Sequence, residues 1–272
     1  MPTSALLLAL AAAVVHAGWN LLLARARDPE AATAVAMLAS VVVFAPVAAL
    51  TWDVDADVAP YAVASSCLQL AYFGLLAAAY AAAELSVVYP LARGLAPVLV
   101  LVVGVAALGT STTPTQTLGV LLVGAGVVAI RGLQRVAGSG VAFGLVIACC
   151  IAGYTLVDKR ALEHAAPLPY LELVMVGPAV VYACVLALRR GTPALRAELN
   201  APALVAGVGG FVAYLLVLLA LERASAASVA AVRETSVVIA TVLAAPVLGE
   251  RVGKARVAGA GLVVVGIALL GS

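Results

Sequence analysis

Four charged side chains stand apart in this sequence. Arg93, Glu172, Arg233 and Glu234 fall inside long apolar runs, whereas the other charges cluster in the polar stretches between runs or at their ends. An arginine at the centre of a membrane-spanning helix costs roughly 2.5–3.5 kcal/mol on insertion scales, so it should face protein or water rather than lipid. A guanidinium in such a place can grip a carboxylate or phosphate through paired hydrogen bonds. It can equally lock two helices together through a carboxylate such as Glu84 or Glu234. The sequence leaves both uses open for Arg93.

Arg233 and Glu234 are adjacent within one run. Neighbours on a helix point about 100° apart, so the pair should meet different partners. One arrangement turns Arg233 toward a cavity and Glu234 toward a neighbouring helix. A carboxylate there is a candidate to bind and release a coupling proton, and it serves equally as counter-ion to an arginine. His16 is the second candidate for that proton.

Aromatic and amide side chains accompany these charges. His16, Trp19 and Asn20 lie at i, i+3 and i+4, on one face of the first helix. In the fourth run Ser86, Tyr89, Arg93 and Pro97 form one polar stripe, and Pro90 and Pro97 suit a bend or a cavity wall. Tyr72, Tyr154 and Tyr214 sit within other runs, where a hydroxyl needs a partner inside the bundle. The candidate substrate-binding set is therefore Arg93, Arg233, Trp19, Asn20, Tyr72, Tyr89, Tyr154 and Tyr214; helix–helix packing is the alternative for its uncharged members. Glu172, near the start of its run, is expected to cap the helix or meet the interface. Glu84, beside a tight turn, is expected to be solvated.

The elements that must position these residues follow from composition. Of 272 residues, 65% are hydrophobic and 10% charged, and the net charge is +2. Soluble domains are about 45–50% apolar and about 25% charged. This chain is written for lipid, which excludes a soluble enzyme, a disordered chain and a nucleic-acid binder. Apolar segments fall at 4–24, 31–50, 60–83, 86–108, 116–130, 139–157, 169–188, 201–221, 226–248 and 256–271. At roughly 20 residues per crossing, they predict an all-α polytopic membrane protein of ten transmembrane helices. The stretch from Asp158 to Leu168 reads as a connector. Cys67, Cys149, Cys150 and Cys184 lie in apolar runs and read as buried packing thiols. The glycine clusters at 124–126, 140–144 and 207–210 suit close helix packing, since no strand precedes them to make a nucleotide loop. No metal or cofactor motif is present, and none is expected to be bound.

The chain also repeats itself. One offset carries Arg93 onto Arg233, Leu108-Gly109 onto Leu248-Gly249, Gly119 onto Gly259 and Gly126 onto Gly266; a slightly different one carries Gly18-Trp19-Asn20 onto Gly153-Tyr154-Thr155. Five helices per copy is an odd number, so the copies, 1–132 and 138–272, should lie in the membrane with opposite orientation. Ten basic residues fall after odd-numbered runs and only Lys159, Arg160 and Arg223 after even-numbered ones. The positive-inside rule then puts both termini outside the cytoplasm.

His16-Ala17-Gly18-Trp19-Asn20, Ser86-Val87-Val88-Tyr89-Pro90-Leu91 with Arg93, and Leu248-Gly249-Glu250 followed by Gly259 and Gly266 resemble the EamA-type transporters of the drug/metabolite transporter superfamily. The resemblance spans essentially the whole chain. It departs at Leu108-Gly109-Thr110, where the family pattern ends in Gly-Glu, and in orientation, since family members usually have cytoplasmic termini. It implies two inverted five-helix repeats around a central cavity, in the inner or plasma membrane. It further implies a secondary transporter, not an enzyme, exporting an amino acid or other small metabolite, driven by a proton or by exchange. Two arginines against one glutamate inside favour a substrate with an anionic group. The expected partners are that substrate and the bilayer, with no nucleic acid, in a monomer or homodimer. The rival reading is a lipid-modifying membrane enzyme or a non-transporting scaffold.

Overall fold

The computed structural model describes residues 1–82, 85–131, 139–239 and 254–271. Its helices are α1 (Thr3–Ala24), α2 (Pro29–Leu50), α3 (Ala59–Ala82), α4 (Leu85–Leu108), α5 (Pro114–Arg131) and α6 (Ser139–Ala161). They continue with α7 (Pro167–Arg190), the short α8 (Thr192–Ala197), α9 (Ala201–Leu221), α10 (Ala226–Arg233) and α11 (Lys254–Gly271). Seven helices are long and apolar enough to cross a bilayer among the described residues, and two more, Pro114–Ile130 and Ala255–Gly271, are apolar but shorter. The exterior is apolar as well: Leu7, Val42, Val102, Val180, Val205 and Val264 are exposed. Such a surface is stable only against lipid tails.

Helix starts follow local chemistry. Asp28 and Asn200 each accept a hydrogen bond from a backbone N–H of the first turn, with a proline at the start of the helix, and Ser225 caps α10 the same way. These side chains satisfy donors that an unfinished helix end leaves bare. At one end of the bundle, the Asp55 N–H donates to His164 O and the Ala166 N–H to Asp53 O, both at 2.8 Å. This pairing ties the connector before α3 to the one before α7, and Tyr61 stacks on His164 across it. The N-terminal ammonium donates to Leu270 O at 2.7 Å. At the other end Arg190 bridges Asp28 at 2.8 Å and also meets Glu30.

Close packing between helices depends on glycine. α5 and α11 run antiparallel: a Cβ on Gly119 would meet Gly266 O at 2.9 Å, and one on Gly126 would meet Gly259 O at 2.6 Å. Only backbone without side chains approaches so closely. Elsewhere α1 packs on α9, α4 and α3 on α6, α2 on α7 and α9, and α3 on α7; α10 touches α4, α1 and α5.

Three expectations need correction. The sixth helix runs through Ala161, so Asp158 is a helical residue and not part of a connector. Lys159 and Arg160 in its last turn favour the helix C-terminus instead of ending it. The ninth run is not one unbroken helix, because α10 stops at Arg233 and helix resumes at 235, described as far as 239. The rest of that run, to 248, lies outside the described residues, as does Glu84. Finally, Cys67, Cys149 and Cys184 are exposed and only Cys150 is buried, since lipid accepts a small apolar side chain as readily as the core does.

Candidate functional site

Two helices bring the arginines together. α4 carries Arg93 inward, and α10 delivers Arg233 at its last turn. The turn at Glu234 is tight: its N–H donates to Ala231 O at 3.0 Å, and the Val237 N–H donates to Glu234 O at 2.9 Å. These three-residue closures break the α-helical register. Arg233 and Glu234 consequently face different helices, as their adjacency predicts.

Glu234 points to α4. Its Oε2 lies 3.0 Å from Arg93 Nε, and both side chains are nearly inaccessible. Arg93 Nη2 also donates to Ser236 Oγ at 3.1 Å and stands 3.5 Å from His16 Nε2 on α1. The His16 ring meets Trp19 edge-on at 5.0 Å, and Trp19 packs over Gly209 and Gly210 of α9. The helix-lock arrangement of Arg93 thus has a concrete partner in Glu234.

Arg233 turns to α6, where its Nη2 donates to the Tyr154 hydroxyl at 3.4 Å. Tyr154 meets Tyr72 and Tyr214 edge-on, at centroid distances of 6.4 and 6.0 Å. Arg93, Arg233, Trp19, Tyr72, Tyr154, Tyr214, His16 and Glu234 therefore form one connected cluster. Asn20 donates its amide to His16 O, on its own helix, at 2.8 Å. Tyr89 stands on α4, and its side chain lies outside the described residues.

Several polar atoms in this region are buried without a hydrogen-bond partner among the described residues. They include the N–H donors Trp19 Nε1, Gln69 Nε2 and Arg233 Nε. Gln69 sits one turn before Tyr72 on the same face of α3. A buried donor without an acceptor is costly. Glu172 does not cap α7: it is buried in the helix's second turn, with its Oε2 unpartnered among the described residues.

Sequence reasoning missed Asp158. It is fully buried. Its Oδ1 accepts the hydroxyls of Ser65 on α3 and Tyr170 on α7, both at 2.6 Å, and its Oδ2 accepts that of Tyr214 on α9. One signal was present: Asp158 follows Tyr154 by four residues, which puts both on one face of α6.

The model of the EamA-like transporter family matches the sequence twice, over residues 3–132 and 138–272. The chain belongs to the EamA-like transporter family. As a member it is a multi-pass integral membrane protein and a membrane transporter of the drug/metabolite superfamily, in a family of transporters and not of enzymes. A solved structure titled only "Crystal structure of protein" superposes on this EamA-family chain with TM-score 0.79 and 17% identity, covering 99% of this chain and 96% of that one. At that identity the likeness speaks to fold. A search of curated proteins finds no match.

Proposed function

We propose that this EamA-family protein is a secondary transporter that exports a small polar metabolite bearing an anionic group, an amino acid or an organic anion. Substrate binds among Arg93, Arg233, Trp19, Tyr72, Tyr154 and Tyr214. The carrying observation is the buried cluster itself: of two buried arginines Arg93 alone is paired with the one glutamate, Glu234, and Arg233 Nε, Gln69 Nε2 and Trp19 Nε1 offer hydrogen bonds that no described residue accepts. A carboxylate supplies both the negative charge and the acceptors. Export is the direction the family resemblance implies, in the inner or plasma membrane.

Movement proceeds by alternating access between two inverted five-helix repeats, 1–132 and 138–272, in a ten-helix protein. Helix pairing supports this. If α1–α5 correspond to α6, α7, α9, α10 and α11, the α1–α9 contact answers α6–α3, α4–α6 answers α10–α1, and α2–α9 answers α7–α3. Gly119 with Gly266 likewise answers Gly259 with Gly126. Two copies whose helices pair in corresponding ways can exchange conformations, and so expose one site to either side in turn. The broken helix at Glu234 fits that scheme, because interrupted helices line midplane sites in such folds.

Ligand-induced thermal stabilisation tests the binding site. Purified protein is heated with a panel of amino acids, dicarboxylates and organic amines. A ligand at 100 times its Kd stabilises by about 2.7 kcal/mol. Carboxylate-bearing compounds should raise the melting temperature, and Arg233→Gln should abolish the effect. Stabilisation by amines alone would overturn the anionic assignment.

A further inference from the structure

Asp158 is not among the residues proposed to bind substrate, but it accepts the hydroxyl of one of them, Tyr214, and it is the most completely enclosed carboxylate among the described residues. It lies close to the C-terminal end of α6, whose following connector, His164–Ala166, pairs with Asp53–Asp55 through the backbone. Hydroxyls of three other helices converge on it: Ser65 from α3, Tyr170 from α7 and Tyr214 from α9. No lysine, arginine or histidine forms an ion pair with it among the described residues. The next residue, Lys159, donates instead to Leu221 O. From α10, Arg233 acts on it through space, and Arg233 donates to Tyr154, one turn before Asp158 on α6.

We propose that Asp158, with the hydroxyls of Ser65, Tyr170 and Tyr214, is the binding site of the driving proton, and that its protonation opens this end of the bundle. The proposal rests on the transporter reading and names its coupling ion. As a carboxylate, Asp158 only accepts, and three hydroxyl donors from three helices fill that role. A proton bound at Oδ2 turns that oxygen into a donor. The Tyr214 hydroxyl then faces an O–H where it had an acceptor, and it must rotate or withdraw. The hydroxyl can accept from that O–H, but the contact holding α9 to α6 is then reversed and neutral where it had been charge-assisted, and so weaker, and the tyrosine's own hydrogen must find another acceptor.

The same movement reaches the substrate cluster, because the Tyr214 ring packs against Tyr154, whose hydroxyl holds Arg233. Proton occupancy and the grip of Arg233 on an anion are therefore linked through two adjoining tyrosines. Glu234 is differently placed. It stands against Arg93 and beside Arg233 in sequence, so a proton there would leave two buried arginines without their carboxylate. A proton on His16 would add a third cation beside Arg93.

The test separates coupling from exchange. Wild type, Asp158→Asn and Asp158→Glu are reconstituted into phosphatidylethanolamine/phosphatidylglycerol liposomes, with a labelled mixture of glutamate, aspartate, malate and leucine as probe. Two quantities are read: counterflow at equal pH, and accumulation under an imposed pH gradient. Asp158→Asn should keep counterflow and lose gradient-driven accumulation completely, and Asp158→Glu should retain both. Accumulation by Asp158→Asn at the wild-type level overturns the proposal. So does wild-type counterflow with no response to pH. Absence of counterflow in wild type would count against the transporter reading itself, and is thus a distinguishable failure.

Infrared spectra of the same liposomes, without substrate, give a second readout. A protonated-carboxyl band that appears on acidification should be absent from Asp158→Asn and present in Glu234→Gln; the reverse pattern overturns the assignment. If Asp158→Asn fails to assemble, Tyr170→Phe decides the matter. It leaves the carboxylate in place and removes one donor, so the pH midpoint of accumulation must move, and an unchanged midpoint overturns the proposal.

Discussion

The pair Arg93–Glu234 sets opposite charges 3.0 Å apart with side chains 5% and 1% exposed. At an effective dielectric of about 20, the attraction at that distance is about 5–6 kcal/mol. Much of it is offset by desolvation, and the experience with buried pairs is that removing one partner costs about 3–5 kcal/mol. Removing both in favour of apolar side chains is often close to neutral. Arg93→Met should therefore destabilise strongly, and the Arg93→Met/Glu234→Met double variant should recover most of the loss. The single losses should also be unequal. After Arg93→Met, Glu234 still has Arg233 beside it; after Glu234→Met, two arginines share the cluster without that carboxylate. Glu234→Met should be the more damaging change. Unfolding by added SDS, followed through Trp19 fluorescence against a Trp52→Phe background, measures all three variants. If the two single losses simply sum to the double, the charges do not stabilise one another, and the reasoning fails.

Other consequences are more local. Gly126→Leu places a side chain where even a Cβ would lie 2.6 Å from Gly259 O; overpacking of this kind costs about 1–3 kcal/mol or more, and the α5–α11 contact should open, as read by crosslinking between the two helices. Tyr154→Phe removes the hydroxyl that Arg233 donates to, at a cost of about 1–3 kcal/mol where a buried charge loses a partner; ligand-induced stabilisation should weaken while the protein still assembles. Arg190→Ala, in contrast, breaks an exposed pairing with Asp28 and Glu30 and should leave the melting temperature unchanged, since such surface pairs contribute little.

Much of the architecture was legible because lipid and protein interior make the same demand on a helix: apolar side chains over about 20 residues. Runs ending at Ala24, Leu50, Leu108 and Leu221 end there in the structure. The arginines were legible because a charge inside such a run needs a reason. What periodicity could not supply is direction. Cys67 and Cys150 lie in equally apolar surroundings, yet one faces outward and the other inward. Asp158 was hidden for a related reason. Followed by Lys159 and Arg160, it has the local composition of a turn, and the hydroxyls that bury it come from Tyr170, Tyr214 and the far more distant Ser65. No window along the chain contains that convergence. The break at Glu234 was equally invisible, because Arg233 and Glu234 are sound helix formers and the turn is set by tertiary contacts.

The central claim is that a small anionic metabolite binds between the two halves and crosses the membrane there. Counterflow tests it most directly: liposomes are loaded with one unlabelled metabolite at a time, and uptake of its labelled form is followed at zero net gradient. The account predicts saturable uptake for at least one carboxylate-bearing compound, abolished by Arg233→Gln in protein that still assembles in the bilayer. Saturable exchange that survives Arg233→Gln unchanged, or no exchange for any carboxylate while an organic amine is carried, would contradict it.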